Sequence, residues 1–457
     1  MPFRIFAVAI LATSVVSAEQ IAFHGRPGEI LAHNAAEAAI ATDGAGRWVA
    51  AWSAPVGSET AGPPRHSVYA ATSFDQGHHW SRPVAVVPTS DFNARQPTLV
   101  FCDMGWILVW ARESPGMGST ADLVAARSRD GGFTWSEPVL VAPADDGTHV
   151  SPAIAVSGRA VVVVWQSSAT LGRKLGADFD ILVSRSIDGG KSWAAPAALH
   201  NNAATDSGID RRPALAADSA GNCLAAWHST ESVGGVGRDS DILFCVSADS
   251  GASWSPVAPL NSTAVLDDED TNVSLAAGGI GAWVAVWEAS SVTSGNAVFS
   301  KAFYAWTRDN GRRWSDARPL ALTSTGAAET GVGVASDGQG RYLAAWTVDR
   351  EINTAHSSDL GVTWSPSKAL AVGASVPLAG ARFGNVGERR APLLGADANG
   401  RWLVVWQDRS ADGVGLKVAA GETVALLPLN GTALAPIAIL IAAGSLWLRR
   451  TRLRQKI

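Results

Sequence analysis

The sequence predicts an all-β propeller of four-stranded blades, with seven blades favoured over six, and three observations carry that prediction. An eight-residue turn pattern, Ser/Thr-x-Asp-x-Gly-x-x-Trp, occurs six times. A Gly-led strand that closes on Trp occurs seven times, once before each turn and once more after the last. The turns begin 55, 58, 61, 60 and 50 residues apart, a period that holds one four-stranded blade.

The turns run from Ser73 to Trp80, Ser128 to Trp135, Ser186 to Trp193, Ser247 to Trp254, Thr307 to Trp314 and Ser357 to Trp364. Their acids are Asp75, Asp130, Asp188, Asp249, Asp309 and Asp359. An Asp in such a turn accepts backbone N–H groups of its own loop, Gly supplies a positive φ, and Trp folds back over apolar surface. These six acids are therefore expected to close hairpins and to carry no reaction.

The Trp strands close on Trp52, Trp110, Trp165, Trp227, Trp287, Trp346 and Trp406. Strand residues four apart share a face, so Trp48 joins Trp52, Trp283 joins Trp287 and Trp402 joins Trp406 on one side of the sheet. Of the 19 Trp, only Trp306 and Trp447 fall outside the two patterns. Each unit reads as an inner strand, the Trp strand, a strand entering the turn and an outer strand. The seventh unit lacks a turn and an outer strand. Arg26 to Ala32, which resembles the outer strand at Arg318 to Leu322, is expected to supply it and so close the ring.

Both termini read as targeting segments. Arg4, the apolar run Ile5 to Val16 and the small residues at Ser17 and Ala18 predict a signal peptide over 1–18. The propeller is expected over 19–425. In 426–457, Ala433 to Leu448 is nearly all apolar and is followed by Arg449, Arg450, Arg452, Arg454 and Lys456, the pattern of a single membrane span with its basic flank in the cytoplasm. The tail resembles the C-terminal sorting signals of exported bacterial proteins. An exported chain held at the cell envelope, or released outside it, is the expectation. A net charge of −5 offers no basic field for nucleic acid. Three cysteines suit neither a disulfide scaffold nor a paired zinc motif. Cys223 and Cys245 fall on adjacent strands, where burial as small apolar residues is favoured over pairing. His149 stands alone beside Asp145 and Asp146, and no metal or cofactor is expected. A monomer is expected.

The six turns make the chain resemble the Asp-box, or bacterial neuraminidase repeat, superfamily over about Glu19 to Leu426. Its best-known enzymes are sialidases, usually of six blades. The resemblance implies three arginines clamping a carboxylate, a Tyr paired with Glu as nucleophile, and an Asp as acid and base. The Arg-Ile-Pro motif of those enzymes is absent here. A looser Arg-x-Pro-x-Leu opens three inner strands, at Arg95, Arg211 and Arg390, on the face opposite the Asp boxes. Guanidinium groups there would suit a carboxylate, sulfate or phosphate. Tyr69, Tyr304 and Tyr342 all fall within blade strands. Among acids on the same face, including Asp146, Asp206, Asp210, Asp267 to Asp270 and Glu388, the candidate catalytic carboxylates are Glu113 and Glu288, just after Trp strands, since two carboxylates can suffice for glycoside hydrolysis.

Two functional readings stay open at this point. One is a sialidase-like exo-glycosidase acting on extracellular acidic glycans. The other is a non-catalytic, envelope-anchored propeller binding carbohydrate or protein.

Overall fold

In the computed structural model the seven Trp-closed segments are all second strands of four-stranded sheets. The structure describes residues 19–425 apart from 34, 57–64, 88–91, 115–119, 145–146, 177, 235–238, 261–268, 293–297, 322–327, 350, 373–390 and 411–412. The expected signal peptide, the apolar tail, Arg390, Asp146, Asp267, Asp268 and Glu388 lie outside the described residues. Among the described residues no helix is long and apolar enough to cross a membrane.

The fold is a seven-bladed propeller. β1 (Glu19–His33) precedes blade 1, which comprises β2 (Ala36–Thr42), β3 (Trp48–Val56), β4 (Arg65–Ser73) and β5 (Val84–Ala85). Blade 2 holds β6 (Asn93–Cys102), β7 (Gly105–Glu113), β8 (Ala121–Ser128) and β9 (Val139–Ala142). Blade 3 holds β10 (His149–Ser157), β11 (Ala160–Ser167), β12 (Asp180–Ser186) and β13 (Ala197–Ala198). Blade 4 holds β14 (Asp210–Ala217), β15 (Cys223–Ser229), β16 (Asp241–Ser247) and β17 (Ala258–Pro259). Blade 5 holds β18 (Glu269–Gly279), β19 (Ala282–Val292), β20 (Val298–Thr307) and β21 (Arg318–Pro319). Blade 6 holds β22 (Glu329–Ser336), β23 (Tyr342–Val348), β24 (Glu351–Ser357) and β25 (Lys368–Val372). Blade 7 runs β26 (Leu393–Ala396), β27 (Arg401–Ser410), β28 (Gly413–Ala425) and then β1, so the first strand of the chain supplies the outer strand of the last blade. Phe23–Glu422 form one compact unit; of a second, Met1–Ala22 with Thr423–Ile457, only residues of β1 and β28 are described.

Stacked blades explain the composition of the second strands. Each is covered on both faces, so β11 is buried at every residue and reads as a continuous apolar run, as sheets sandwiched on both sides do. Six apolar cores each combine residues of two successive blades. One of them joins Leu403, Val405 and Leu416 of blade 7 to Trp48, Ala50 and Trp52 of blade 1, closing the ring. Cys102, Cys223 and Cys245 are buried free thiols, as the burial reading expects.

Each Asp box is a small hydrogen-bonded knot. The hydroxyls of Ser73, Ser128, Ser186, Ser247, Thr307 and Ser357 donate to the carboxylates of Asp75, Asp130, Asp188, Asp249, Asp309 and Asp359. Each carboxylate also accepts the N–H four residues on. The box glycine faces the preceding blade: a Cβ on Gly251 would sit 2.7 Å from Val162, and one on Gly361 2.3 Å from Val284. The knot therefore fixes the spacing between blades as well as the hairpin.

Candidate functional site

The inner strands of blades 1 to 6 share one irregularity, and it builds the site. Their pairing with the second strand slips between Ala36 and Ala38, Arg95 and Thr98, Val150 and Ala153, Arg211 and Ala214, Thr271 and Ser274, and Thr330 and Gly333. Each slip is a β-bulge that re-aims a side chain. The bulged residues are Glu37, Gln96, Ser151, Arg212, Asn272 and Gly331, all at positive φ. In blades 2, 3 and 4 a proline follows, Pro97, Pro152 and Pro213, which brings no N–H to the point where the ladder is broken.

Four of these residues, Glu37, Gln96, Ser151 and Arg212, line a cavity of about 230 Å³. Its remaining wall includes Ile40, Leu99, Ile154, Leu393 and Leu394. The lining comes from the innermost strands of blades 1, 2, 3, 4 and 7, so the cavity lies on the propeller axis, at the face opposite the Asp boxes.

Neighbouring bulges hold one another. Gln96 N–H donates to Glu37 Oε2 at 2.9 Å, and Ser151 N–H donates to Gln96 Oε1 at 2.7 Å. On the far side, Arg212 N–H donates to Gln166 Oε1 at 3.4 Å and Gly331 N–H to Glu288 Oε1 at 2.7 Å. Arg212 Nη1 donates to Asn272 Oδ1 at 2.6 Å. The rim thus carries two charged groups, Glu37 with Arg95 and Glu288 with Asn272 and Arg212.

The structure places the sequence candidates as follows. Arg95 makes a bidentate pair with Glu37, Nε to Oε2 at 3.1 Å and Nη2 to Oε1 at 3.3 Å, so its charge is already matched. Arg211 is exposed and is not on the cavity wall; the residue that lines it is Arg212. Glu113 ends β7 opposite Asn93, and its charge adds to the burial that raises the Glu37 carboxyl above the usual range against the pull of Arg95. Glu288 is buried. Burial raises its carboxyl, opposed by the Gly331 N–H, Asn272 and Arg212. Glu113 and Glu288 thus belong to different charged groups, in blades 2 and 5.

Tyrosines stay in the blades. Tyr69 stacks with Trp52 at 6.5 Å, Tyr304 donates its hydroxyl to Val362 O at 3.4 Å, and Tyr342 is fully buried. None of the three is among the described residues lining the cavity. His149 is a core residue: its Nδ1 receives Trp165 Nε1–H at 3.0 Å and its Nε2 lies 3.0 Å from Pro143 O. One cluster was half visible in the sequence, which marks Asp206 and Asp210 as acids of this face but gives no sign of Asp180 or His200. Asp180, His200, Asp206 and Asp210 converge between blades 3 and 4, and burial pushes Asp180 up to about 7 against the pull of His200.

No curated protein sequence matches the chain. Among solved structures, a protein of unknown function from Dyadobacter fermentans is 15% identical with a TM-score of 0.49, over 90% of this chain and 98% of that one. The Penicillium chrysogenum α-L-arabinanase complexed with arabinobiose is 15% identical with a TM-score of 0.46, over 73% and 96%. A Hadza microbial sialidase is 16% identical with a TM-score of 0.45, over 79% and 74%. Nothing about activity follows from likenesses of this size. Residues 46–261, which hold the boxes beginning at Ser73, Ser128, Ser186 and Ser247, match the BNR repeat-like domain family.

Proposed function

We propose that this chain is a carbohydrate-binding propeller that takes one acidic sugar ring in the axial cavity, with Arg212 as its charged contact. The observation that carries this reading is the backbone at Glu37, Gln96, Ser151 and Arg212, at φ of 44°, 54°, 54° and 49°. Side chains other than Gly and Asn adopt that region at a cost, and such cost concentrates where a protein aims groups at a ligand. All four residues line one cavity. Its volume lies below the roughly 300–1,000 Å³ of sites that engulf drug-sized ligands, which suits a single ring. Export, with retention at the envelope by 426–457, belongs to the same proposal.

Binding is favoured over sialidase-like hydrolysis because the tyrosine such chemistry needs is packed inside a blade at each of its three positions. Hydrolysis by carboxylates is the second reading. The raised carboxyl of Glu288, linked through Asn272 to Arg212, favours it as a group that can donate a proton.

Titrating the full-length protein with sialosides and uronosides, with product analysis alongside, tests both. Saturable binding without product is expected, and Arg212→Ala should weaken it by roughly 10- to 100-fold, the effect of losing one charged hydrogen bond. Turnover abolished by Glu288→Gln would select the second reading. Absence of both binding and turnover across the panel would remove the proposal.

A further inference from the structure

The cluster between blades 3 and 4 has the makings of a metal site that neither the fold nor the axial cavity requires. Asp180 opens β12, His200 and Asp206 lie in the connection leaving blade 3, and Asp210 opens β14. One ligand atom from each lies within 4.8 Å of all the others. Donors about 2.0–2.3 Å from a single ion span that distance or less. His200 and the three carboxylates are at most 2% exposed in their side chains.

Several of these atoms lack partners. Both oxygens of Asp180, Oδ1 of Asp206, Oδ1 of Asp210 and Nε2 of His200 are buried and make no hydrogen bond. Buried carboxylates are otherwise found paired or coordinating a metal. Asp178 and Glu231, which face the cluster, add only negative charge.

The imidazole is oriented for ligation. Asn202 Nδ2 donates to Asp206 Oδ2 at 3.0 Å, which leaves Asn202 Oδ1 facing His200 Nδ1 at 3.0 Å. Oδ1 can only accept, so Nδ1 carries the proton. Nε2 faces Asp210 Oδ2 at 2.9 Å and Asp180 Oδ1 at 3.7 Å, so a proton or a metal ion on Nε2 would sit among these oxygens. Three carboxylates converging on one imidazole carry more negative charge than a proton on Nε2 can balance, and an outer partner that orients the ring is the usual support of a ligating histidine. The ring is also stacked on Trp227 at 5.4 Å.

We propose that Asp180, His200, Asp206 and Asp210 bind one divalent transition-metal ion, Mn²⁺ or Zn²⁺. The imidazole among oxygen donors argues for these over Ca²⁺, which takes oxygen ligands. The ion would join the start of β12 to the start of β14, and so pin blade 3 to the strand that carries Arg212.

The test uses the full-length protein, stripped with EDTA, then equilibrated with Mn²⁺, Zn²⁺ or Ca²⁺ and dialysed. One Mn²⁺ or Zn²⁺ per chain by elemental analysis is expected. With it, the melting temperature should rise by about 3–5 °C at metal near 100 times Kd, and EDTA should reverse the rise. Asp180→Asn should lose both ion and shift while melting no lower than the EDTA-treated wild type, because an orphan charge has gone. Asp188→Asn, in the box of the same blade, should keep both. Failure of Mn²⁺ and Zn²⁺ to bind or to shift melting, binding of Ca²⁺ alone, or an undiminished response in Asp180→Asn would overturn the proposal.

Discussion

Gly77 of the first blade meets Leu403 of the seventh so closely that a Cβ on Gly77 would stand 2.4 Å from Leu403 Cδ1. The contact lies on the seam where the ring closes. Gly77 also sits at φ +88° and Leu403 is fully buried. Gly77→Ala is expected to cost about 1–3 kcal/mol through clash and strain. Leu403→Ala should cost about 2–5 kcal/mol through the cavity it leaves. Because the second change makes room for the first, the double variant should lose less than the sum in urea unfolding.

Acid should weaken the boxes before other parts of the fold. Burial opposes it, but bonds from the hydroxyl, the N–H groups and residues four positions on hold Asp75 and Asp188 at about 2. Bonds from Ser253 bring Asp249 to the same value. A carboxylate whose folded pKa lies below its unfolded value of about 3.9 contributes stability above that pH and loses it as pH falls toward 2. Melting temperature should therefore drop between about pH 4 and pH 2. Combining Asp75→Asn, Asp188→Asn and Asp249→Asn should flatten that limb; an unchanged slope would contradict it.

Glu37 has two duties that substitution can separate. It matches the Arg95 charge and accepts the Gln96 N–H. Glu37→Ala removes both and leaves a half-buried guanidinium without its carboxylate, for an expected loss of about 2–4 kcal/mol. Glu37→Gln keeps an acceptor for the Gln96 N–H and should lose roughly half as much. Equal losses in chemical denaturation would mean that the backbone bond contributes little.

The three thiols should be inert in the folded state. Burial pushes Cys245 up to about 12 and raises Cys102 and Cys223 as well. The reactive form is the thiolate. A colorimetric thiol reagent at pH 8 should detect almost none in the native protein and all three in guanidinium. Rapid native labelling would point to an opening of the blades that hold them.

The sequence reveals the fold through turn chemistry that repeats. Six boxes and seven Trp strands mark every blade, and the likeness between Arg26–Ala32 and Arg318–Leu322 locates the closing strand that β1 provides. The cavity was harder to read because a bulge adds one residue to the alternation of a strand. In Arg211-Arg212-Pro213 it puts Arg212 on the wall and leaves Arg211 exposed. The proline after Gln96, Ser151 and Arg212 was the available sign. Asp180, His200, Asp206 and Asp210 follow no fixed spacing, since the backbone joins them through a strand start, a connection and the next blade. Proximity of that kind has no signature along the chain.

The partnership of β1 with β28 sets an order on biosynthesis. The strand made first must wait for the strand made last, and at ~5–20 residues per second that delay is roughly 20–80 s. During it the nascent amino terminus offers an unpaired edge, the feature that invites aggregation and exchange between chains. A cell making this protein has every reason to keep that strand occupied, by a chaperone, until β28 has been made.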